Sequence, residues 1–319
     1  MVEGIWGPDF DDLARRRSVR RSPHPWTDRH PPADTDGSTR ALVVRNRTQV
    51  NRLLLESAPE LEVVARAGVG LDNVDLDAAD ALGVVVVAAL GVNAVSVAEH
   101  TLGLALAVAR RLPVLDAQVR AGEWTREPGR ELAGGTWGLL SAGATARATA
   151  KLAQGLGMRV VAYDPYVAPD DPVLRQLDVT LLPLEQVVSG ADVLSIHLPS
   201  TSETHHLVDE RLLALMRPDA VLVNVGRGEV VDEEALADAL EQRRIAGAGI
   251  DVREHEPPPP SRLHHLNNAV LSPHVAGVTR ESQRRIGRVL CEDIDRVLDG
   301  AEARHAVGTH RRTRAGVSP

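Results

Sequence analysis

From residue 136 onward the chain repeats one pattern: a short apolar run, a stretch of helical periodicity, then another apolar run. The runs are Gly138-Leu-Leu-Ser, Arg159-Val-Val-Ala-Tyr, Val193-Leu-Ser-Ile-His, Val221-Leu-Val-Asn-Val, Gly247-Ala-Gly-Ile-Asp and Ala269-Val-Leu-Ser. Strands that are apolar at successive positions, rather than at every second one, are buried on both faces. Alternating with helices, they predict an α/β fold with a doubly wound, parallel sheet. A shorter version of the pattern precedes it. Ala41-Leu-Val-Val-Arg, Leu61-Glu-Val-Val-Ala and Val84-Val-Val-Val-Ala read as strands, with a helix through Leu53-Leu-Leu. Val95 to Arg120 is rich in Ala and Leu and reads as helix, broken near Pro113, with its apolar face assigned to packing. Residues 1–40, rich in Pro, Asp and Arg, read as loop with one short helix, and the last ten residues as a frayed end.

Composition narrows the class. The 319 residues suffice for two modest domains. Only 2% are aromatic, so the cores must be built from Val, Leu, Ala and Ile. A formal net charge of -8 gives no electrostatic reason to expect nucleic acid or an anionic membrane as partner. The single cysteine, Cys291, excludes an internal disulfide framework and suits a reducing compartment. The arginine pairs near residues 15–21 are followed by polar residues, not the apolar run of a signal peptide. No run is long enough to span a bilayer. The expected location is the cytoplasm.

The turn after Gly138-Leu-Leu lies where a dinucleotide-binding fingerprint, G-x-G-x-x-G or G-x-G-x-x-A, would stand. Its three positions hold Ser141, Gly143 and Ala146. Gly143 lets backbone approach a pyrophosphate, and Ala146 is an accepted variant. Ser141 is the departure: a side chain at the tight turn costs about 1 kcal/mol if the backbone needs positive φ. Asp164 closes the next strand, where an acid accepts hydrogen bonds from a ribose diol and repels a 2′-phosphate. The expected cofactor is therefore NAD rather than NADP.

Three further segments end strands of the same sheet: Asn224-Val-Gly-Arg-Gly, Asp251-Val-Arg-Glu-His-Glu-Pro and Ser272-Pro-His-Val-Ala-Gly. The carboxyl ends of parallel strands open on one crevice. Arg227 offers a planar fork for a carboxylate. His274 can pass a proton to and from a carbonyl oxygen, and Glu256 can orient His274 and raise its pKa. The doublets His205-His206 and His264-His265 have no Cys/His/acid spacing beside them and read as loop histidines, so no metal is expected. His197 reads as a hydrogen-bonded structural residue at a strand end.

Five segments carry a resemblance: Arg66-Ala-Gly-Val-Gly-Leu-Asp-Asn-Val-Asp, Val97-Ala-Glu-His, Gly157 to Pro165, Asn224 to Leu236, and Pro273-His-Val-Ala-Gly-Val-Thr. Together they resemble the D-isomer-specific 2-hydroxyacid dehydrogenases, in the phosphoglycerate-dehydrogenase-like branch. The resemblance spans roughly residues 40–300. With no further domain after residue 310, it is closest to that branch's short form. It implies a central Rossmann-type domain at 94–283. It also implies a smaller, flavodoxin-like α/β substrate domain from 1–93 and 284–319. Arg227, Glu256 and His274 become the catalytic set. Ser141, Gly143, Ala144, Thr145, Asp164, Leu198, Val225, Gly226, Asp251 and Gly277 become cofactor contacts. Arg45, Val69 and Gly70 join Arg227 in holding a small anionic 2-hydroxyacid or 2-oxoacid. A homodimer made mainly through the cofactor domain is also implied. The other reading is a catalytically weak NAD-sensing binding protein or co-regulator on the same fold. Formate oxidation is disfavoured, since that branch has Gln where Glu256 stands. Leu90, where the family usually has Pro, is a further departure.

Overall fold

A computed structural model of the chain describes residues 7–22, 38–68 and 70–310. The chain folds as two compact units, 1–93 with 279–319, and 94–278.

The larger unit is built on seven parallel strands, numbered after the first three of the four strands in the other unit: β4 (Thr136–Leu140), β5 (Arg159–Tyr163), β6 (Val179–Leu181), β7 (Val193–Ile196), β8 (Val221–Asn224), β9 (Gly247–Ile250) and β10 (Ala269–Leu271). Their order across the sheet is β10-β9-β8-β7-β4-β5-β6. The chain runs outward from β4 to β6, then crosses back to β7 and runs the other way. Between β4 and β7 lies the topological switch point of a doubly wound sheet, where ligands bind.

Side-chain alternation explains the continuous apolar runs. Trp137, Leu139, Val193, Val221 and Val223 enter one core with Leu104 and Ala105 of helix Ala94–Ala109 and Ala146, Ala150 and Ala153 of helix Ala144–Gly155. Leu140, Leu194, Ile196 and Leu222 enter another, against Val187, Leu212 and Leu240. Both faces are therefore dry, and each fully buried Val or Leu stabilises the fold by about 1.5–3 kcal/mol. Helices on the second face start at acidic caps: Asp209 accepts from the Leu212 amide, and Asp232 from those of Glu234 and Ala235.

The smaller unit holds β1 (Ala41–Val44), β2 (Val63–Arg66) and β3 (Val85–Ala88), with β11 (Ala306–Val307) returning from the far end of the sequence. The order is β1-β2-β3-β11, the first three parallel and β11 antiparallel to β3. Leu42, Val44, Val64 and Val86 pack against Leu54, Leu55, Ala78 and Ala79 on one face. Val43, Val63, Ala65, Val85 and Val87 pack on the other against Phe10, Leu13, Ile286, Leu290, Ile294 and Val297. Burial in that layer pushes the Cys291 thiol up to about 12, so it is inert.

The break expected near Pro113 is present, and two short strands are new. The long helix breaks at Arg111, which takes φ 53°, and Pro113 then sits in the first turn of helix Leu112–Arg120, where a missing N–H is harmless. β6 and β11, three and two residues long, were not anticipated. The short helix expected before residue 40 spans Pro8–Arg16. The rest of the frayed end, 311–319, lies outside the described residues. None of the helices among the described residues is long and apolar enough to cross a membrane.

Candidate active site

Every catalytic or cofactor candidate in the larger unit follows a strand at the sheet's carboxyl edge. Ser141 to Thr145 follow β4, Asp164 β5, Leu198 β7, Val225 to Arg227 β8, Asp251 and Glu256 β9, and His274 and Gly277 β10. Parallel register puts all of these ends on one side.

The β9–β10 loops are organised by Asp251. Its side chain is 1% exposed. Oδ1 accepts hydrogen bonds from Ser272 Oγ at 2.6 Å and the Val275 amide at 2.9 Å, and Oδ2 accepts from the Ala276 amide at 2.8 Å. Its backbone oxygen accepts the His274 amide at 2.7 Å. His100, on helix Ala94–Ala109, lies 2.9 Å from Ser272 Oγ and 3.4 Å from Asp251 Oδ1. Burial opposes ionisation of Asp251, but the bonds from His100, Ser272, Val275 and Ala276 outweigh it and hold the carboxyl down at about 2. His274 is thereby fixed at φ 54°, a left-handed conformation uncommon for a residue other than Gly. The Asp251 carboxylate already serves this loop, so a cofactor contact through it would share an oxygen.

His274 Nδ1 meets Glu256 Oε2 at 2.7 Å. The contact to Glu256 engages Nδ1 and not Nε2, on a ring whose side chain is 44% exposed. Burial works to raise the Glu256 pKa. The hydrogen bond and charge of His274, with the Arg253 amide at 3.1 Å from Oε1, prevail and hold it below the usual carboxylate range. The turn bearing Glu256 is itself clamped. Arg253, 7% exposed, makes paired bonds to Glu233 through Nε at 2.8 Å and Nη2 at 2.7 Å, and the Glu254 amide adds a third bond to Glu233 at 2.8 Å.

Arg227 is half-buried on the loop after β8, with Nη1 2.9 Å from the Gly226 carbonyl. Asn224 shapes that loop: Oδ1 accepts the Gly226 amide and Nδ2 donates to the Arg227 carbonyl. A Cβ at Gly228 would sit 1.9 Å from the Arg253 carbonyl carbon, so only glycine lets the Arg227 loop lie against the Arg253 turn. The structure thus joins His274 to Glu256 directly and Arg227 to them through packed backbone.

At the switch point Ser141 takes φ 107°, so the turn does require the conformation that glycine adopts freely. Ser141 Oγ accepts the Gly143 amide at 3.1 Å, which offsets part of the strain. Asp164 Oδ2 accepts the Ala142 amide at 2.8 Å and Oδ1 that of Tyr166 at 3.0 Å, leaving a lone pair on each oxygen. Gly143 and Ala144 are exposed at the start of helix Ala144–Gly155, and a Cβ at Gly143 would meet nothing closer than Ser141 Oγ at 3.4 Å. Open space over a helix N-terminus, with an acid on the neighbouring strand, fits a dinucleotide. His197 adds a buried Nδ1 with no partner: Trp137 Nε1 donates to Ser195 Oγ, which lies 3.0 Å from His197 Nε2, and burial pushes this imidazole down to about 3.

In the smaller unit Arg45 follows β1 and Gly70 follows β2. Asn73 Nδ2 ties these loops, donating to the carbonyls of Arg45 at 2.7 Å and Thr48 at 2.6 Å. Val69 lies outside the described residues. The sequence reading gave no role to His100, Ser272, Asn224, Arg253 or Glu233. Their only signal was that they lie within the quoted segments.

Fold and site together define a dinucleotide-binding α/β protein with a carboxylate-oriented histidine. Residues 102–276 match the NAD binding domain of the D-isomer specific 2-hydroxyacid dehydrogenases. The chain belongs to that family, and NAD is the cofactor this domain binds. It is 40% identical over 270 residues to D-3-phosphoglycerate dehydrogenase of Archaeoglobus fulgidus, covering 84% of this chain and 51% of that protein. The chain thus spans about half the length of the curated phosphoglycerate dehydrogenases it matches. It is 41% identical over 290 residues to (S)-sulfolactate dehydrogenase of Chromohalobacter salexigens, covering 90% of this chain and 94% of that one. It also superposes, with a TM-score of 0.86 and 29% identity, on an NADPH-dependent glyoxylate/hydroxypyruvate reductase of Sinorhizobium meliloti solved with NADP and malonate, covering 99% and 98% of the two chains.

A carboxyl held below its ordinary pKa in the folded state adds stability that is complete above the unfolded value and is lost as pH falls through the folded one. For Asp251 the window runs from about 4 down to about 2. Denaturant unfolding should therefore show a gap between the parent and Asp251→Asn that is constant near neutrality and narrows as pH drops below about 4. A gap that stays constant down to pH 3 would refute the stabilising role given to this carboxylate.

Proposed function

We propose that the protein is an NAD-dependent oxidoreductase that interconverts a small anionic 2-hydroxyacid and its 2-oxoacid. The observation that carries this reading is the 2.7 Å bond between His274 Nδ1 and Glu256, which leaves Nε2 free on an accessible ring at the sheet's carboxyl edge. When bound, NAD(H) accepts or supplies the hydride. His274 Nε2 gives a proton to the carbonyl oxygen in reduction and takes the hydroxyl proton in oxidation. Glu256 holds the ring and balances the charge that forms on it. Arg227 pairs with the substrate carboxylate and polarises the neighbouring carbonyl.

The amides of Ala144 and Thr145, with that of Gly143 once Ser141 Oγ releases it, would take the pyrophosphate at the helix start, and Asp164 the ribose diol, favouring NAD over NADP. Leu198, Val225, Gly226 and Gly277 would line the rest of the cofactor's path, with Asp251 beneath it. Arg45, Val69 and Gly70 would bind the substrate's anionic groups. Phosphoglycerate, hydroxypyruvate, glyoxylate and sulfonate or phosphonate analogues all suit that chemistry. Near full-length similarity to a sulfolactate dehydrogenase supports including the sulfonates.

One observation favours a second reading, a catalytically weak NAD-sensing protein. Ser141 Oγ occupies the Gly143 amide, which a pyrophosphate would otherwise use. A single assay separates the two. NADH or NADPH absorbance is followed with each 2-oxoacid, and NAD or NADP reduction with each 2-hydroxyacid. The enzyme reading expects turnover on one small anionic pair, with NAD preferred, and a fall in kcat of roughly a hundredfold or more in His274→Ala. NADH binding should survive that substitution. No turnover on the panel, or His274→Ala turning over like the parent, would put the binding-protein reading first.

Ser141→Gly should bind NADH several-fold more tightly, since it relieves about 1 kcal/mol of positive-φ strain and frees the Gly143 amide. Fluorescence titration of both proteins measures this. Equal or weaker binding by the glycine variant would mean that the Ser141 hydroxyl itself holds the loop in its binding form.

The same reading includes a homodimer through the cofactor unit. Helix Leu112–Arg120 buries none of its residues, Leu112 and Val119 are more than half exposed, and Trp124 beyond it is 74% exposed. A second copy would cover this apolar stretch. Sedimentation velocity should give a dimer for the parent and a monomer for Val119→Glu/Trp124→Glu. A monomeric parent, or a variant that stays dimeric, contradicts the assignment.

A further inference from the structure

The histidine doublet His205-His206 has no metal-binding spacing in sequence, yet folding brings a third donor beside it. Nitrogens of both rings and a carboxylate oxygen of Glu254 lie within 4.8 Å of one another. We propose that His205, His206 and Glu254 form a binding site for a divalent transition-metal ion of the zinc, nickel or cobalt type.

Three features of the backbone build the cluster. Successive side chains in extended chain point to opposite sides. His206 takes φ 49° instead, and the two rings lie on one side, centroids 4.1 Å apart and 28° from parallel. The His206 amide is anchored to the Glu229 carbonyl at 2.8 Å, next to Gly228. Gly228 in turn is the residue whose lack of a side chain admits the Arg253–Glu254 backbone. One short helix, Gly228–Val230, thus holds the histidine loop on one side and the Glu254 turn on the other.

The donor set suits the ion. Two imidazoles and a carboxylate are borderline-to-hard ligands that favour zinc, nickel and cobalt over calcium or magnesium. His206 Nε2 and Glu254 Oε1 are 3.1 Å apart, close to the separation of about 3.3 Å between neighbouring ligands of a tetrahedral ion. His205 is exposed, and His206 and Glu254 half-buried, so a contraction of at most about 1.5 Å needs side-chain movement alone. The nearby Arg253 charge is already neutralised by its paired bonds to Glu233, which lowers the repulsion an incoming cation meets. With three protein ligands, the remaining positions fall to water. The bound ion would cross-link the loop after β7 to the turn that carries Glu256.

The test is calorimetric titration of Zn2+ into the full chain after chelator treatment and dialysis. Co2+ then reports coordination through its visible absorption. The variants are His206→Asn, which keeps a residue tolerant of left-handed backbone, Glu254→Gln and His205→Ala. His264→Ala/His265→Ala serves as control, and circular dichroism checks that each is folded. The expected result is a single site per chain, weakened about tenfold or more in each of the three variants and unchanged in the control. Zn2+ should also raise the melting temperature of the parent and not of His206→Asn. The proposal is overturned if the parent takes up no ion, if His206→Asn and Glu254→Gln bind like the parent, or if the control pair loses the site.

Discussion

A single buried carboxylate, Asp251, underlies the loops at the sheet's carboxyl edge. Asp251 receives two amides and a hydroxyl from the Ser272–Ala276 stretch, and its own carbonyl receives the amide of His274. An ionised carboxylate with 1% exposure is expensive unless every lone pair is used, and here the strand end supplies the donors. That solvation shell is the loop conformation. Remove the charge, and the Asp251 carbonyl alone is left to hold His274 at φ 54°. The Arg253–Glu233 clamp does the corresponding work on the other member of the pair, holding the turn from which Glu256 reaches back. The His274–Glu256 pair is thus positioned by two separate buried charged centres, one behind each partner.

Much of this was legible in the sequence because it depended on local rules. Continuous apolar runs separated by helices dictate a parallel sheet, and parallel strands place their following loops on one edge. Arg227, Glu256 and His274 could then be grouped without any distance. Ser141 was also readable: a glycine position in a known turn implies positive φ, and the structure gives φ 107°. What escaped was whatever depends on two distant segments. His100 lies on a helix far from Asp251 in sequence, and no periodicity marks it as the carboxylate's neighbour. Glu233 looks like one more acid in a helix's first turn until Arg253 folds over it. His205 and His206 read as loop residues because their third partner is 48 residues away from His206. The strands β6 and β11 are too short to carry a pattern.

The smaller unit's sheet is completed from the far end of the sequence, and this fixes an order of events during synthesis. β3 pairs on one side with β2, and on the other with Ala306 and Val307 of β11. The approach to β11 is fastened by Asp293, wholly buried, whose carboxylate accepts the amides of Arg304 and His305. One face of the same sheet waits for Ile286, Leu290, Ile294 and Val297. A ribosome-bound chain that has emerged only to residue 278 can fold the larger unit, while Val85 to Val87 remain an open strand edge over a half-covered apolar layer. Such edges recruit other chains. The β3 edge is therefore made early, and it stays unpaired until Ala306 and Val307 have left the tunnel.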